Sequence, residues 1–151
     1  MRFLCDQMLG TLAKWLRILG YDVYFANNLE DDEDILKRAE EEERVIITRD
    51  KYLVMRAKRR RIKVIEIESK DLDEQLKVVT SFFPIDRDAV LSRCSICNSL
   101  LVEIDKNEVK GKVPDRVYEA HDEFWYCKNC KKIYWKGSHW DKMKEKIDNL
   151  S

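Results

Sequence analysis

The sequence predicts an α/β fold, a parallel sheet with helices on both faces, followed by a small zinc ribbon. Three observations carry that expectation. Short apolar runs alternate with segments of helical period from Phe3 to Phe82, the pattern of a parallel sheet with right-handed crossovers. The run Val45-Ile46-Ile47-Thr48 is almost continuously apolar, as a strand covered on both faces must be. Past Pro84 cysteines and short β-like pieces replace the helical pattern.

Each element follows from local chemistry. Phe3-Leu4-Cys5 reads as a buried strand, and Leu9, Leu12, Ala13, Leu16 and Leu19 recur at helical spacing over 8–19 until Gly20 supplies the stop. Val23 to Ala26 is a second strand and Asn27-Asn28 a turn. Asp31 or Asp32 then caps a helix carrying Ile35, Leu36 and Ala39. A third strand, 45–48, leads to a helix over 52–60, a strand over 62–67 and a helix over 71–82. Beyond that point only short β-like pieces at 100–104 and 123–126 stand out. The expected division is an α/β domain over 1–84, a linker over 85–92 and a four-cysteine ribbon with a basic, aromatic tail over 93–151.

At 151 residues and 44% hydrophobic content the chain can bury one main core plus an appendage. Its apolar stretches are only a few residues long, and Met1 to Asp6 enters a strand pattern directly, so neither a membrane span nor a secretion signal is expected. A cytoplasmic location is the corresponding expectation. Charged residues make up 38% with four Gly and two Pro, a texture often met in heat-adapted proteins. Formal net charge is zero, yet 125–146 holds seven Lys against two acids. Local basic stripes of this kind can bind phosphate on a neutral protein.

Cys94-Ser-Ile-Cys97 and Cys127-Lys-Asn-Cys130 are two CxxC pairs with 29 residues between them. Each pair can place two thiolates on one metal through a tight turn, and together Cys94, Cys97, Cys127 and Cys130 complete a tetrahedral zinc site. With all four positions taken by protein the zinc would be structural. Cys5, on the first strand, reads as a buried small hydrophobe.

Three acids point to a second metal site. Asp6 follows the first strand, Asp50 follows the third, and Asp32 or Asp34 opens the intervening helix. Strand ends of an open parallel sheet converge on one crevice, and clustered carboxylates suit Mg2+ or Mn2+. A charge directly after a buried strand is costly unless used or paired, which makes Asp6 the strongest candidate. Asp50 could instead cap the helix that follows it.

The segments Leu4-Cys5-Asp6-Gln7-Met8-Leu9-Gly10, Leu12 to Asp22, Val45 to Asp50, Ser92-Arg93-Cys94 and Tyr134 to His139 together resemble the Mut-seven C-terminal (Mut7-C) RNase family. The resemblance spans almost the whole chain. It implies a PIN-like domain with a C-terminal zinc ribbon, and a metal-dependent ribonuclease with catalytic acids at Asp6, Asp50 and Asp32 or Asp34. Four-acid sites of that kind have a further carboxylate after the next strand, and Glu66, Glu68 and Asp71 offer no clear match.

Lys14, Arg17 and Arg49 flank the acids and are candidates for holding substrate phosphates. In the ribbon, Lys132, Trp135, Lys136 and His139 interleave rings with cations, a mixture that binds single-stranded nucleic acid. The expected function is hydrolysis of RNA phosphodiesters with catalytic Mg2+ or Mn2+, structural Zn2+ and RNA as partner; oligomeric state is not legible. The competing reading is a non-catalytic RNA-binding or adaptor protein. A phosphotransfer receiver or phosphatase on the same sheet is the third.

Overall fold

The computed structural model describes residues 1–27 and 30–150, without the side chain of His139. Asn28, half of the expected turn, lies outside the described residues. Two compact units divide between Asn98 and Ser99.

The N-terminal unit is an α/β layer structure. Strands β1 (Arg2–Cys5), β2 (Asp22–Phe25), β3 (Val45–Thr48) and β4 (Val64–Glu66) form a parallel sheet in the order β2-β1-β3-β4. Helices α1 (Gly10–Ile18), α2 (Asp32–Glu41), α3 (Lys51–Arg59) and α4 (Leu72–Phe82) connect and follow the strands. Alternation decides which strand residues meet which helices. Leu4, Ile46, Tyr24 and Val64 point to one face and pack with Ile35, Leu36 and Ala39 of α2 and Leu53 and Ala57 of α3. The alternate residues Phe3, Cys5, Val23, Ile47 and Ile65 are buried on the other face, where the Phe3 ring packs on Tyr21 and Phe83. Burial pushes the Cys5 thiol far up, so it behaves as the inert hydrophobe expected.

The strand order creates a switch point. The connection from β1 runs through α1 to one side of the sheet, while the connections from β2 and β3 run through α2 and α3 on the other face. In open parallel sheets such a reversal leaves a crevice outside the carboxyl ends of the two strands concerned. Here those are β1 and β3, the strands that end just before Asp6 and Asp50.

Element ends follow their caps. Asp31 caps α2 in a reciprocal capping box with Asp34, Asp50 caps α3, and Asp71 caps α4. β4 is shorter than the sequence suggests: Arg61 takes φ 60 and Ile62 N–H bonds to Ala57 O, so both residues belong to the end of α3. Gly20 has φ 99, and a Cβ there would collide with the backbone of Ala89. Gly20→Ala should therefore cost about 1–3 kcal/mol in denaturant unfolding.

The C-terminal unit carries an antiparallel sheet in the order β5-β6-β7, from β5 (Val102–Ile104), β6 (Phe124–Tyr126) and β7 (Ile133–Tyr134). Two short helices, α5 (Lys106–Val109) and α6 (Asp115–Ala120), lie between β5 and β6 in the chain. The tail is a helix, α7 (Ser138–Leu150), where the sequence reading saw only a basic, aromatic segment. Met143 and Ile147, four residues apart, are its buried stripe.

A polar hub ties the start of β2 to the segment ahead of the unit boundary. Asp22 Oδ1 accepts from Arg44 Nη1 at 2.9 Å and from Asn98 Nδ2 at 2.8 Å, and Arg2 and Arg93 approach its Oδ2. Burial works to raise the Asp22 carboxyl, but the Arg44 and Asn98 hydrogen bonds and the Arg44 and Arg93 charges outweigh it and hold the pKa near about 2, below the ordinary 3.8. A depressed carboxyl stabilises the fold above its unfolded-state value, and that contribution is lost as pH falls through the folded value. Unfolding measured from pH ~5 down to ~2 should show a stability loss that is blunted in Asp22→Asn.

Candidate active site and metal centre

Asp6 is the chemical centre of the sheet's carboxyl edge. It is only 6% exposed, and its backbone N–H continues the ladder to Ile47 O at 3.3 Å. Oδ1 accepts from Met8 N–H at 3.0 Å, which caps a single 3₁₀ turn over Gln7–Leu9. Oδ2 accepts a short hydrogen bond from the Thr48 hydroxyl. Thr48 Oγ1 in turn accepts from Asp50 N–H at 3.0 Å. Thr48 is thus a relay that fixes both acid-bearing loops, and it has no exposed surface. The sequence shows it only as the last residue of an apolar strand; a hydroxyl at the end of a fully buried run was the signal available.

The acids interact electrostatically. Burial pushes the Asp6 carboxyl above its ordinary value; Thr48 and Met8 hydrogen bonds and Arg49 offset part of this, while Asp50 adds to it. Asp32 is raised as well, by desolvation first and then by Asp50, with Arg56 opposing and Asp31 and Asp6 adding. Among the described residues its one ion pair is to Arg56 at 3.8 Å. Asp50 uses Oδ1 to cap α3, accepting from Tyr52 N–H at 2.9 Å and Leu53 N–H at 3.4 Å. Capping and site membership coincide for this residue, since Oδ2 has no such bond. Asp34 is different: its carboxylate turns back to Asp31 N–H at 3.3 Å to close the capping box. The structure therefore brings Asp6, Asp32 and Asp50 under one another's influence and engages Asp34 in the helix cap. Glu68 is exposed, Asp71 caps α4 and Glu66 lies on β4.

The flanking cations separate into distinct roles. Arg17 is a correction to the sequence reading. It is 9% exposed, and it donates to Val23 O at 3.0 Å, Ser95 O at 3.2 Å and Ile96 O at 2.9 Å. Its helix face is the buried one, shared with Leu12, Ala13 and Leu16, so its guanidinium serves backbone carbonyls and not a substrate. Lys14 is exposed on α1. Arg49 is half-buried, and its Nε is a buried donor with no hydrogen-bond partner.

The Sγ atoms of Cys94, Cys97, Cys127 and Cys130 all lie within 4.8 Å of one another. A zinc ion with four sulfurs at about 2.3 Å sets sulfur pairs about 3.8 Å apart, so this soft, four-thiolate donor set fits zinc. The acids form no equally closed set among the described residues. Both knuckles share one turn. Asn98 N–H bonds to Cys94 O at 2.9 Å and Lys131 N–H to Cys127 O at 2.8 Å, and these two residues have positive φ, 74 and 62. Cys130 N–H also points at Cys127 Sγ, 3.3 Å away, a bond that orients a sulfur able to hold a metal.

In the ribbon, Lys132 lies over the Tyr134 ring at 5.0 Å, and Lys136 over Trp125 at 5.5 Å and Trp140 at 4.9 Å. Lys131, Lys132, Tyr126 and Trp135 line a groove of about 590 Å³ together with Lys112 and Pro114. The side chain of His139 lies outside the described residues.

Arg17 holds the carbonyls of Ser95 and Ile96, between Cys94 and Cys97, and removing it leaves them without that partner. Arg17→Met should weaken zinc binding about 10-fold or more, judged by competition with a chromogenic chelator, while Lys14→Met on the same helix leaves it unchanged.

The Mut7-C RNAse domain model matches residues 1–147. No curated protein and no solved structure matches the chain. A match of that extent takes in the acids, Thr48 and both cysteine pairs, and it points to ribonuclease-type function with RNA as substrate. The chain belongs to the Mut7-C RNAse domain family.

Proposed function

We propose that the protein is a metal-dependent ribonuclease of PIN-like type, hydrolysing RNA phosphodiesters at Asp6, Asp32 and Asp50, with a zinc ribbon that helps hold the RNA. The observation that carries this reading is the excess of negative charge at the switch point. Three carboxylates influence one another there, and among the described residues the one ion pair to any of them is the long Arg56–Asp32 contact. Hard oxygen donors with unmet charge suit Mg2+ or Mn2+. A bound ion of this kind supplies Lewis-acid stabilisation of phosphate charge and eases ionisation of water.

The protein's own groups do the positioning. Asp6 is locked by Met8 N–H and Thr48, yet each carboxylate oxygen keeps a second lone pair for a cation. Asp50 presents Oδ2 while Oδ1 is fixed by the start of α3. Asp32, held by one long ion pair, has the least constrained carboxylate. The groove of the ribbon offers rings and lysines to a single strand, where stacking contributes about 1–3 kcal/mol per base. A location in the cytoplasm, where thiols stay reduced, agrees with a cysteine quartet placed to hold a metal, and no described helix is long and apolar enough to cross a membrane.

Cleavage of labelled single-stranded RNA with Mn2+ tests the reading. Asp6→Asn and Asp50→Asn should each lower the rate at least ~100-fold, with zinc content unchanged, whereas Asp34→Asn stays within a few-fold of wild type. RNA binding with no metal-dependent cutting by the wild type would instead favour the adaptor reading.

Asp6 also carries a stability sign. Its raised folded value means that ionisation disfavours the fold: stability is full below the unfolded value and declines as pH rises through the folded one. Asp6→Asn can still accept from Met8 N–H and donate to Thr48, so without added divalent metal it should match or exceed wild-type stability at neutral pH. Thr48→Val removes the relay; kcat should fall about 10- to 100-fold and Thr48→Ser should restore most of it.

A further inference from the structure

A cleft of about 360 Å³ is lined by Met8 and Gly10 from the segment that follows Asp6, by Thr11, and by Arg49, Lys70 and Gln75 among others. That volume is in the range that accepts a small ligand. We propose that this cleft is a subsite for single-stranded RNA that binds the phosphate of the nucleotide next to the scissile bond, with Arg49 and Lys70 as its cations. The proposal rests on the ribonuclease reading for its placement along the RNA, and it names Lys70, which lies outside every motif discussed above.

The strand order produces the juxtaposition. Asp6 leaves β1, Arg49 leaves β3, and Lys70 lies in the loop that follows β4. These are successive neighbours in the sheet, and strands about 4.8 Å apart put the loops after β1 and β4 about 10 Å apart along its edge. Although Glu66, Glu68 and Asp71 also lie at the end of β4, the cleft itself is lined by the two cations and by no carboxylate among the described residues.

Both cations are available. Neither Arg49 nor Lys70 has a side-chain ion pair or hydrogen bond to another described residue, in a unit where Arg2, Arg38, Arg44, Arg56 and Arg60 are all paired. The buried Arg49 Nε lacks an acceptor, a costly condition that a phosphate oxygen in the cleft relieves. Lys70 is presented by a fixed loop. Buried Gln75 donates from Nε2 to Ser69 O at 2.9 Å, and Ser69 Oγ accepts from Asp71 N–H at 3.0 Å. On the facing wall Met8 is 62% exposed, an apolar, polarisable contact for a base. Gly10 is also in the lining, and α1 starts there with no side-chain cap. The combination is chemically selective: two cations for a phosphate and one flexible apolar arm for what the phosphate carries.

The test is equilibrium binding of a short fluorescent oligouridylate to the full zinc-loaded chain, without Mg2+ or Mn2+, across a range of salt. For single strands each phosphate contact contributes about 0.7 to the slope of log affinity against log salt. Lys70→Gln should reduce the slope by about 0.7, and Lys70→Gln with Arg49→Gln by about 1.4, with affinity at low salt falling several-fold. Lys70 is exposed, so its substitution leaves the fold intact, and Lys70→Arg should restore the slope. An unchanged slope and affinity in Lys70→Gln overturns the subsite, even if the wild type cuts RNA. A slope lost in Lys70→Gln upholds it, even if no cleavage is found and the nuclease reading fails. Binding of an acidic peptide that is lost in Lys70→Gln while RNA binding persists also overturns it.

Discussion

The buried Asp6 carboxylate, held between Met8 N–H and the Thr48 hydroxyl, is the constraint on which the carboxyl edge of the sheet depends. A carboxylate at 6% exposure is tolerable only with its lone pairs engaged. Thr48 can engage one because β1 and β3 are direct neighbours in parallel register, Cys5 opposite Ile47, which carries their next residues off the same edge together. The same hydroxyl takes the Asp50 N–H, so the β3–α3 turn is built on the bond that fixes Asp6. Loss of the pairing between β1 and β3 would misplace Asp6, Asp50 and the α3 cap at once.

Arginines set the rest of the unit by bonding backbone. Arg17 joins the end of α1 to Val23 and to the turn at 95–96, and Arg44 donates to Phe3 O at 3.0 Å and to Asp22. Both are buried, and a guanidinium can be buried at reasonable cost when its five planar donors find fixed acceptors. Carbonyls at strand and turn ends supply them. Replacing either by lysine would lose the fork geometry, although formal charge would be kept.

The sequence made the α/β unit legible because periodicity, caps and breakers agree there. Val45 to Thr48 is buried throughout as its composition requires, and Gly20 stands at positive φ where the helical pattern stops. The cysteine spacing foretold a closed quartet for an equally local reason: each pair needs only one tight turn. What escaped was whatever depends on direction in space. Arg17 and Lys14 look equivalent in a basic helix, but three residues put one on the apolar stripe and the other in solvent. Asp32 and Asp34 differ by a capping geometry that the local pattern Asp31-Asp32-Glu33-Asp34 leaves ambiguous until the N-cap is known. The tail helix α7 was hidden by its charge, since only Met143 and Ile147 mark its inner face. Lys70 was invisible because a lone lysine in a loop acquires meaning only when β4 is seen beside β3.

The chemistry of the edge explains why the fold keeps an arrangement that is not optimal for stability. Asp6 and Asp32 are both shifted toward the neutral form, by burial first and then by the charge of Asp50, and Arg49 holds an unsatisfied buried donor. Each feature disfavours the folded protein in isolation, and an apolar or neutral residue at any of the three would ease it. Asp6 and Asp32 ask for a cation, and Arg49, in the loop after β3 and within electrostatic reach of Asp6, asks for an anion. On the function proposed above, a phosphodiester accompanied by a divalent ion would satisfy both kinds together and place binding energy where bond cleavage needs charge stabilised. Elsewhere in the same unit charges are paired, as at Arg44 and Asp22. The edge thus stands out from a framework whose charged groups mostly have partners, with Arg38 Nε the other buried side-chain donor without a hydrogen bond among the described residues.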